Sequence, residues 1–255
     1  MNAIVSHRLY LLRVLVFNSI KKRYRRSVLG VVWSMLNPLL TMMVQALVFS
    51  HVFRRDIENY LLYLISGQIL FNFFSESTRT AMNSIIKNSR LLKKIKVPKY
   101  MFPLSAVLAS LVNLLFSIPA LVIIMVVTRA RFSFGSLTFV FPLFFMLVFC
   151  IGVGMFLSAV AVFFRDIIHL YAVFITLLQY TTPIFYPASV LEGRHPWVLF
   201  LNPLYHYIRT FREAIYSASP TAPMHVLWGA LFSFGAMLLG LWLFNRKQKK
   251  FILFV

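Results

Sequence analysis

The chain has 255 residues, 60% of them hydrophobic and 16% aromatic, against a charged fraction of 13% and a net charge of +20. A mean hydropathy of +0.80 lies far outside the range of soluble domains, so composition describes an integral membrane protein and excludes a soluble enzyme or a nucleic-acid-binding domain. The one cysteine, Cys150, excludes an intrachain disulfide and a Cys-based metal cluster.

The predicted fold is all-α, with an N-terminal interface helix over 1–30 and a single six-span domain over 31–250. Near the N-terminus, Val5, Leu9, Leu12, Val16, Ile20 and Tyr24 recur at the spacing of one helical face, with Arg8, Lys22 and Arg26 beside it. That pattern predicts an amphipathic helix lying in the membrane interface. Arg13 interrupts its apolar part and no small-residue cleavage site follows, so it reads as a retained helix and not a signal peptide.

Crossing ~30 Å of hydrocarbon takes roughly 20 helical residues. The predicted spans are 31–53, 60–75, 100–128, 132–164, 167–191 and 221–245, the second being short and lengthened by the polar residues after it. With the N-terminus inside, nineteen of the 26 Lys and Arg residues fall on the inner side, which predicts a multi-pass protein with both termini cytoplasmic. The same charge implies contact with anionic lipid, not nucleic acid.

Within the first span, Ser34, Asn37, Thr41 and Gln45 form a polar stripe at helical spacing. Two readings stand for it: hydrogen bonding between helices, or a path for a sugar, with Trp33 beside it. Pro38 removes an amide donor and frees the carbonyl of Ser34, which loosens the helix. The segment 83–96 predicts a short helix ending ahead of Pro98, with Ile85, Leu92 and Ile95 on one side and Lys87, Arg90, Lys93, Lys94 and Lys96 around it. Read from its residues alone, it is a basic interfacial helix.

Asp166 stands where it can cap the fifth span. That span carries Thr176, Gln179 and Tyr180 on one side, followed by Phe185. Amides with aromatic rings suit carbohydrate, whose surface combines C–H patches and hydroxyls; equally, most of 27 Phe, 11 Tyr and 4 Trp must face lipid or anchor the interface. Pro187, Pro196 and Pro203 break the next stretch into short pieces, and Asn202–Pro203 suits the start of an outer helix with Leu204, Ile208, Phe211 and Ile215 on one face.

No G-x-x-x-x-G-K-[ST] motif occurs, the six acidic residues fall near span ends or in loops, and the six histidines are scattered. The sequence therefore offers no nucleotide site, no buried carboxylate relay and no metal site. Uphill transport by such a chain needs energy from a partner.

Four blocks in order carry a family resemblance: "RYRRSVLGVVWSMLNPLL" before and into the first span, "NSRLLKKIKVPKYMFPLS" after the second, "FFRDI" after the fourth, and "TPIFYP" with "LNPLYHYIRTFREAIY" between the fifth and sixth. Together they resemble the permease subunits of bacterial ABC exporters for lipid-linked polysaccharides, the Wzm and TarG type. The resemblance implies a homodimeric channel in the cytoplasmic membrane for O-antigen, teichoic acid or a related glycan, docked on two copies of a separate ATPase that holds the ATP and Mg; this chain itself carries no cofactor. It makes Asn88, Arg90, Leu91, Leu92, Lys93, Lys94, Ile95, Lys96 and Pro98 the coupling segment. A polyprenyl phosphate or pyrophosphate head would present compact negative charge at the depth of Arg23, Arg25 and Arg26, either as recognition site or as plain anchoring charge.

The rival readings are an ABC exporter of a drug or small lipid and a polytopic enzyme acting on polyprenyl-linked sugars. Accumulation of unexported polymer on loss of the chain separates the first, and capture of an ATPase separates the second.

Overall fold

The computed structural model describes residues 2–25, 27–53, 57, 59–94, 97–130, 138–216 and 222–254, all helix, turn or loop without a strand. In hydrocarbon an unpaired backbone amide or carbonyl is costly, and a helix satisfies both within one segment. In chain order the helices are α1 (Asn2–Tyr24), α2 (Val32–Phe53), α3 (Tyr60–Lys87), α4 (Ser89–Lys94), α5 (Met101–Val127), α6 (Val140–Phe163) and α7 (Ile167–Thr181). Three short helices follow, α8 (Ser189–Glu192), α9 (Pro196–Phe200) and α10 (Pro203–Tyr216), then α11 (Pro223–Lys247), a 3-10 turn and α12 (Phe251–Phe254).

Among the described residues four segments are long and apolar enough to cross a membrane: Val32–Phe49, Met101–Val127, Val140–Phe163 and Pro223–Phe254. α3 begins where expected and, as expected, the polar residues after Ser75 lengthen it, to Lys87 and 28 residues; its second half is too polar to stand among the apolar four. One predicted span needs correction. α7 stops at Thr181 after 15 residues, about 22 Å of helix, because Pro183 interrupts the continuation to residue 191.

α3 is the central element. Leu62, Leu64, Ile65 and Leu70 are fully buried against Val107 and Ala120 of α5 and Met146 and Cys150 of α6. α6 and α11 meet backbone to backbone: a Cβ on Gly240 would lie 2.1 Å from the Gly152 carbonyl oxygen, and one on Gly152 would lie 2.4 Å from Ala236. Small residues allow such an approach, which supplies van der Waals attraction where lipid gives no hydrophobic drive between helices. Across this seam the Ser233 hydroxyl donates to the Phe145 carbonyl at 2.7 Å, and Tyr207 of α10 donates to Gly229 at 2.9 Å.

A second core, at the other end of the bundle, joins Ile85, Leu92, Phe102, Met155, Phe244 and Phe251. Leu15 of α1 packs on it. Along α1, Leu12, Val16, Ile20 and Tyr24 are half-buried against the bundle, whereas Leu9, expected on the same face, is 61% exposed.

The predicted helix 83–96 is two pieces. Asn88 breaks it: its amide side chain donates to the Ser84 carbonyl at 2.7 Å, while its own carbonyl accepts from Leu91 and Leu92 at 3.0 Å. Asp166 precedes α7 without a capping hydrogen bond from its carboxylate; it is exposed, and the expected structural cap is absent. Asn202 does cap α10, its Oδ1 accepting from the Leu204 amide at 3.0 Å.

Candidate functional site

A cavity of about 800 Å³ lies between α2, α3, α5 and the end of α7. The stripe of the first span reaches it as a unit: Trp33, Asn37, Thr41 and Gln45 line it, joined by Gln179 and Phe185 from the other predicted channel face. Thr176 and Tyr180 do not. Thr176 is exposed and donates to the Ala172 carbonyl on its own helix, and Tyr180 is 65% exposed. The reason is the short α7, whose helical phase is set by Tyr171 donating to Thr78 at 2.7 Å; Gln179 then faces inward and its neighbours outward.

Phe185 is positioned by a pinned loop. Tyr60 donates to the Phe185 carbonyl at 2.8 Å, and Tyr63 donates to Pro183 at 2.9 Å and Tyr186 at 2.8 Å. Beneath it Arg212 of α10, only 9% exposed, donates to the carbonyls of Pro183 at 2.7 Å and Tyr63 at 2.9 Å, and its guanidinium lies 3.4 Å from the Tyr63 ring centre. Gly67 makes room for it, since a Cβ there would sit 2.5 Å from an Arg212 nitrogen. Phe185 stacks on Phe49 at 5.7 Å.

The wall contributed by α3 includes Gln68, Asn72 and Glu76, spaced four apart in the span read as short and lengthened by polar residues. That spacing was the available signal. Gln68 is 5% exposed, and the side-chain oxygens of Gln68 and Gln45 are buried without a hydrogen-bond donor among the described residues. Two unmet acceptors in one cavity are matched by a ligand rich in hydroxyl donors.

At one end of the cavity a polar network ties four helices together. Arg23 of α1 pairs with Glu76 of α3 at 2.5 Å, and the other Glu76 oxygen accepts from Asn113 of α5 at 2.8 Å. The Asn113 oxygen accepts from Tyr24 and Ser34, each at 2.6 Å. The Ser34 carbonyl, left without its helical donor by Pro38, accepts from the Ser117 hydroxyl at 2.8 Å. The stripe divides: Ser34 binds a neighbouring helix, the first of the two readings, and Asn37, Thr41 and Gln45 line the cavity.

Of the three arginines read as phosphate ligands, Arg23 lines the cavity, Arg25 is exposed outside it, and Arg26 lies outside the described residues. In the coupling segment Arg90, Lys93 and Lys94 are exposed, Leu91 and Pro98 are half-buried, and Ile95 and Lys96 lie outside the described residues. Leu92 is 8% exposed inside the second core. It anchors α4 to the bundle. Among the described residues no three His, Cys, Asp or Glu side chains gather as metal ligands.

Residues 10–216 match the ABC-2 type transporter family. The chain is 33% identical over 205 residues to the O-antigen export system permease protein RfbA of Klebsiella pneumoniae, covering 80% of this chain and 79% of that protein. It is 30% identical to the protein of the same name from Myxococcus xanthus, covering 81% and 80%. The polysialic acid transport protein KpsM of Escherichia coli is 19% identical, with 92% of each chain covered.

Proposed function

Because this chain belongs to the ABC-2 type transporter family, a family of multi-pass membrane permeases, we propose that it is the channel-forming subunit of an ATP-driven exporter of a lipid-linked polysaccharide. The observation that carries this reading is the cavity between α2 and α3, where Trp33 and Phe185 accompany Asn37, Gln45 and Gln68. Rings and unmet amide acceptors together hold a sugar without a tight site, as a chain sliding through requires. The Arg23–Glu76 pair at its end is a phosphate-sized position, and a polyprenyl phosphate head takes it by replacing the Glu76 carboxylate on the Arg23 guanidinium.

The remaining assignments follow the same reading. The chain spans the cytoplasmic membrane six times, with α3 and α7 completed by neighbouring protein and both termini inside. Two copies assemble around a two-fold axis, which matches a pair of ATPase subunits bearing ATP and Mg. The apolar side of α7, with Leu170, Val173 and Leu177 exposed, supports that assembly. Lys93 of α4, which lines neither cavity, meets the ATPase, and Leu92 holds that helix to the bundle.

The test is delivery of polymer to the cell surface in cells lacking the chain. Wild type restores it, whereas Gln45→Leu with Gln68→Leu inserts normally and leaves lipid-linked polymer inside. Normal export by the double variant would remove the sugar path from this cavity.

A further inference from the structure

A second cavity, of about 690 Å³, lies between α1, α3, α4 and α5, and its character is different. Lys22 and Arg23 of α1, Lys87 of α3, and Arg90 and Lys94 of α4 line it, and no Asp or Glu is among its lining residues. Arg23 is taken by Glu76. For Lys22, Lys87, Arg90 and Lys94 the described residues supply no ion pair and no hydrogen-bond acceptor. All four are exposed on the lining of one cavity, so an anion that enters it meets four cations and no competing carboxylate.

The rest of the lining is mixed, with Asn18, Ser19, Thr80, Ser84, Ser105 and Ser110 beside an apolar strip. Phe102, Ala106, Ala109, Val112 and Phe116 follow one face of α5, a strip about 21 Å long at 1.5 Å per residue. Leu15 and Ile20 of α1 face it across the groove, and Phe116 emerges on the exposed side of α5. A free anion would leave this strip in water; an amphiphile covers it.

We propose that this cavity binds an acidic phospholipid, its phosphate held by Lys22, Lys87, Arg90 and Lys94 and an acyl chain laid along α5 toward Phe116. The polar network makes it a resident lipid and not the exported one. Arg23, Tyr24 and Asn113 line both cavities, and their hydrogen bonds with Glu76 and Ser34 close the wall between them. The second cavity also has no counterpart to the stranded acceptors of Gln45 and Gln68. Because its cations come from three helices, an occupied site ties α4 to α1 and α3, and the position of α4 then depends on the lipid. That the lipid is resident and not cargo rests on the export route proposed for the larger cavity; that the site takes an acidic phospholipid does not.

The full chain, purified and exchanged into phosphatidylglycerol or phosphatidylcholine, is examined by native mass spectrometry for retained lipid. One phosphatidylglycerol per chain is expected to survive where phosphatidylcholine does not. The Lys87→Gln, Arg90→Gln, Lys94→Gln variant should lose affinity about tenfold or more, while a control with Arg246, Lys249 and Lys250 changed to Gln, outside the cavity, should match wild type. Should the triple variant fold poorly, Lys22→Gln asks the same question from α1, and should lower retention severalfold with thermal stability in phosphatidylcholine unchanged. Equal retention of both lipids, or full retention by both variants, overturns the proposal. Inorganic pyrophosphate bound with no lipid retained overturns it in favour of a soluble anion, and a polyprenyl monophosphate retained in place of phosphatidylglycerol overturns it in favour of a cargo vestibule.

Discussion

The seam between α6 and α11 and the cavity between α2 and α3 are both helix–helix junctions, held by different forces. At the seam the two backbones touch through Gly152 and Gly240, and nothing larger than hydrogen fits. At the cavity α2 packs on the bundle through the buried Met42, is tied at one end by the network through Ser34 and Asn113, and elsewhere leaves the amide oxygens of Gln45 and Gln68 without donors among the described residues. Lipid is as apolar as a leucine side chain, so close packing gives a fixed junction and polar contacts give one that can be exchanged. The difference separates a scaffold, α3, α5, α6 and α11, from an element that can part from it, α2.

The comparison breaks first at the seam. Gly240→Leu drives a side chain into the backbone of α6, and about 3 kcal/mol or more of destabilisation is expected; the measurement is folded protein recovered after heating in detergent. Gly235→Ala, on the same helix but facing open space, should stay within about 0.5 kcal/mol of wild type. Equal losses in the two would mean that the close approach contributes nothing.

Arg212→Gln is expected to come next. It removes the charged hydrogen bonds from Arg212 to the carbonyls of Tyr63, Pro183 and Ile184, the first two keeping donors in Ser66 and Tyr63, at about 2 kcal/mol, and loosens the loop that carries Phe185. Export should fall further than the stability loss explains, read as surface polymer per assembled protein.

Glu76→Gln sharpens the cavity side. The Arg23–Glu76 pair is partly exposed, with 37% and 25% of the two side chains accessible, so its loss should cost about 1 kcal/mol or less. Export, not stability, should change, because Arg23 is then released from its internal anion. A variant with altered melting and normal export would make the pair a structural tie.

The smallest effect expected concerns pH. His206 on α10 is buried, its Nε2 paired with the Phe200 carbonyl and its Nδ1 with His225 at 3.0 Å, and burial pushes its pKa below the ordinary 6.5. The unfolded chain therefore binds the extra proton more readily, so the contribution is complete above 6.5 and declines as pH falls through the depressed folded value. Melting temperature should drop from about pH 8 to about pH 5, and His206→Gln should flatten that slope.

Hydrophobic runs, their breakers and the distribution of basic residues were legible in the sequence because each is a local property. They placed α2, α5, α6 and α11 to within a few residues among the described residues, and the period of Asn37, Thr41 and Gln45 marked residues that line a cavity. Pro38 announced that the Ser34 carbonyl would be free; that Ser117 receives it, 83 residues away, was not announced. Glu76 looked like an acid near a span end and is bonded to Asn113, 37 positions on, and Arg212 looked like a loop charge and is buried on Tyr63, 149 positions back. Leu92 looked like a docking residue and is core. Whether a polar or charged side chain can be buried depends on partners that packing brings from distant parts of the chain. The sequence could show which residues would need partners, and only the tertiary structure decided which ones found them and which, like Gln45 and Gln68, were left facing the cavity.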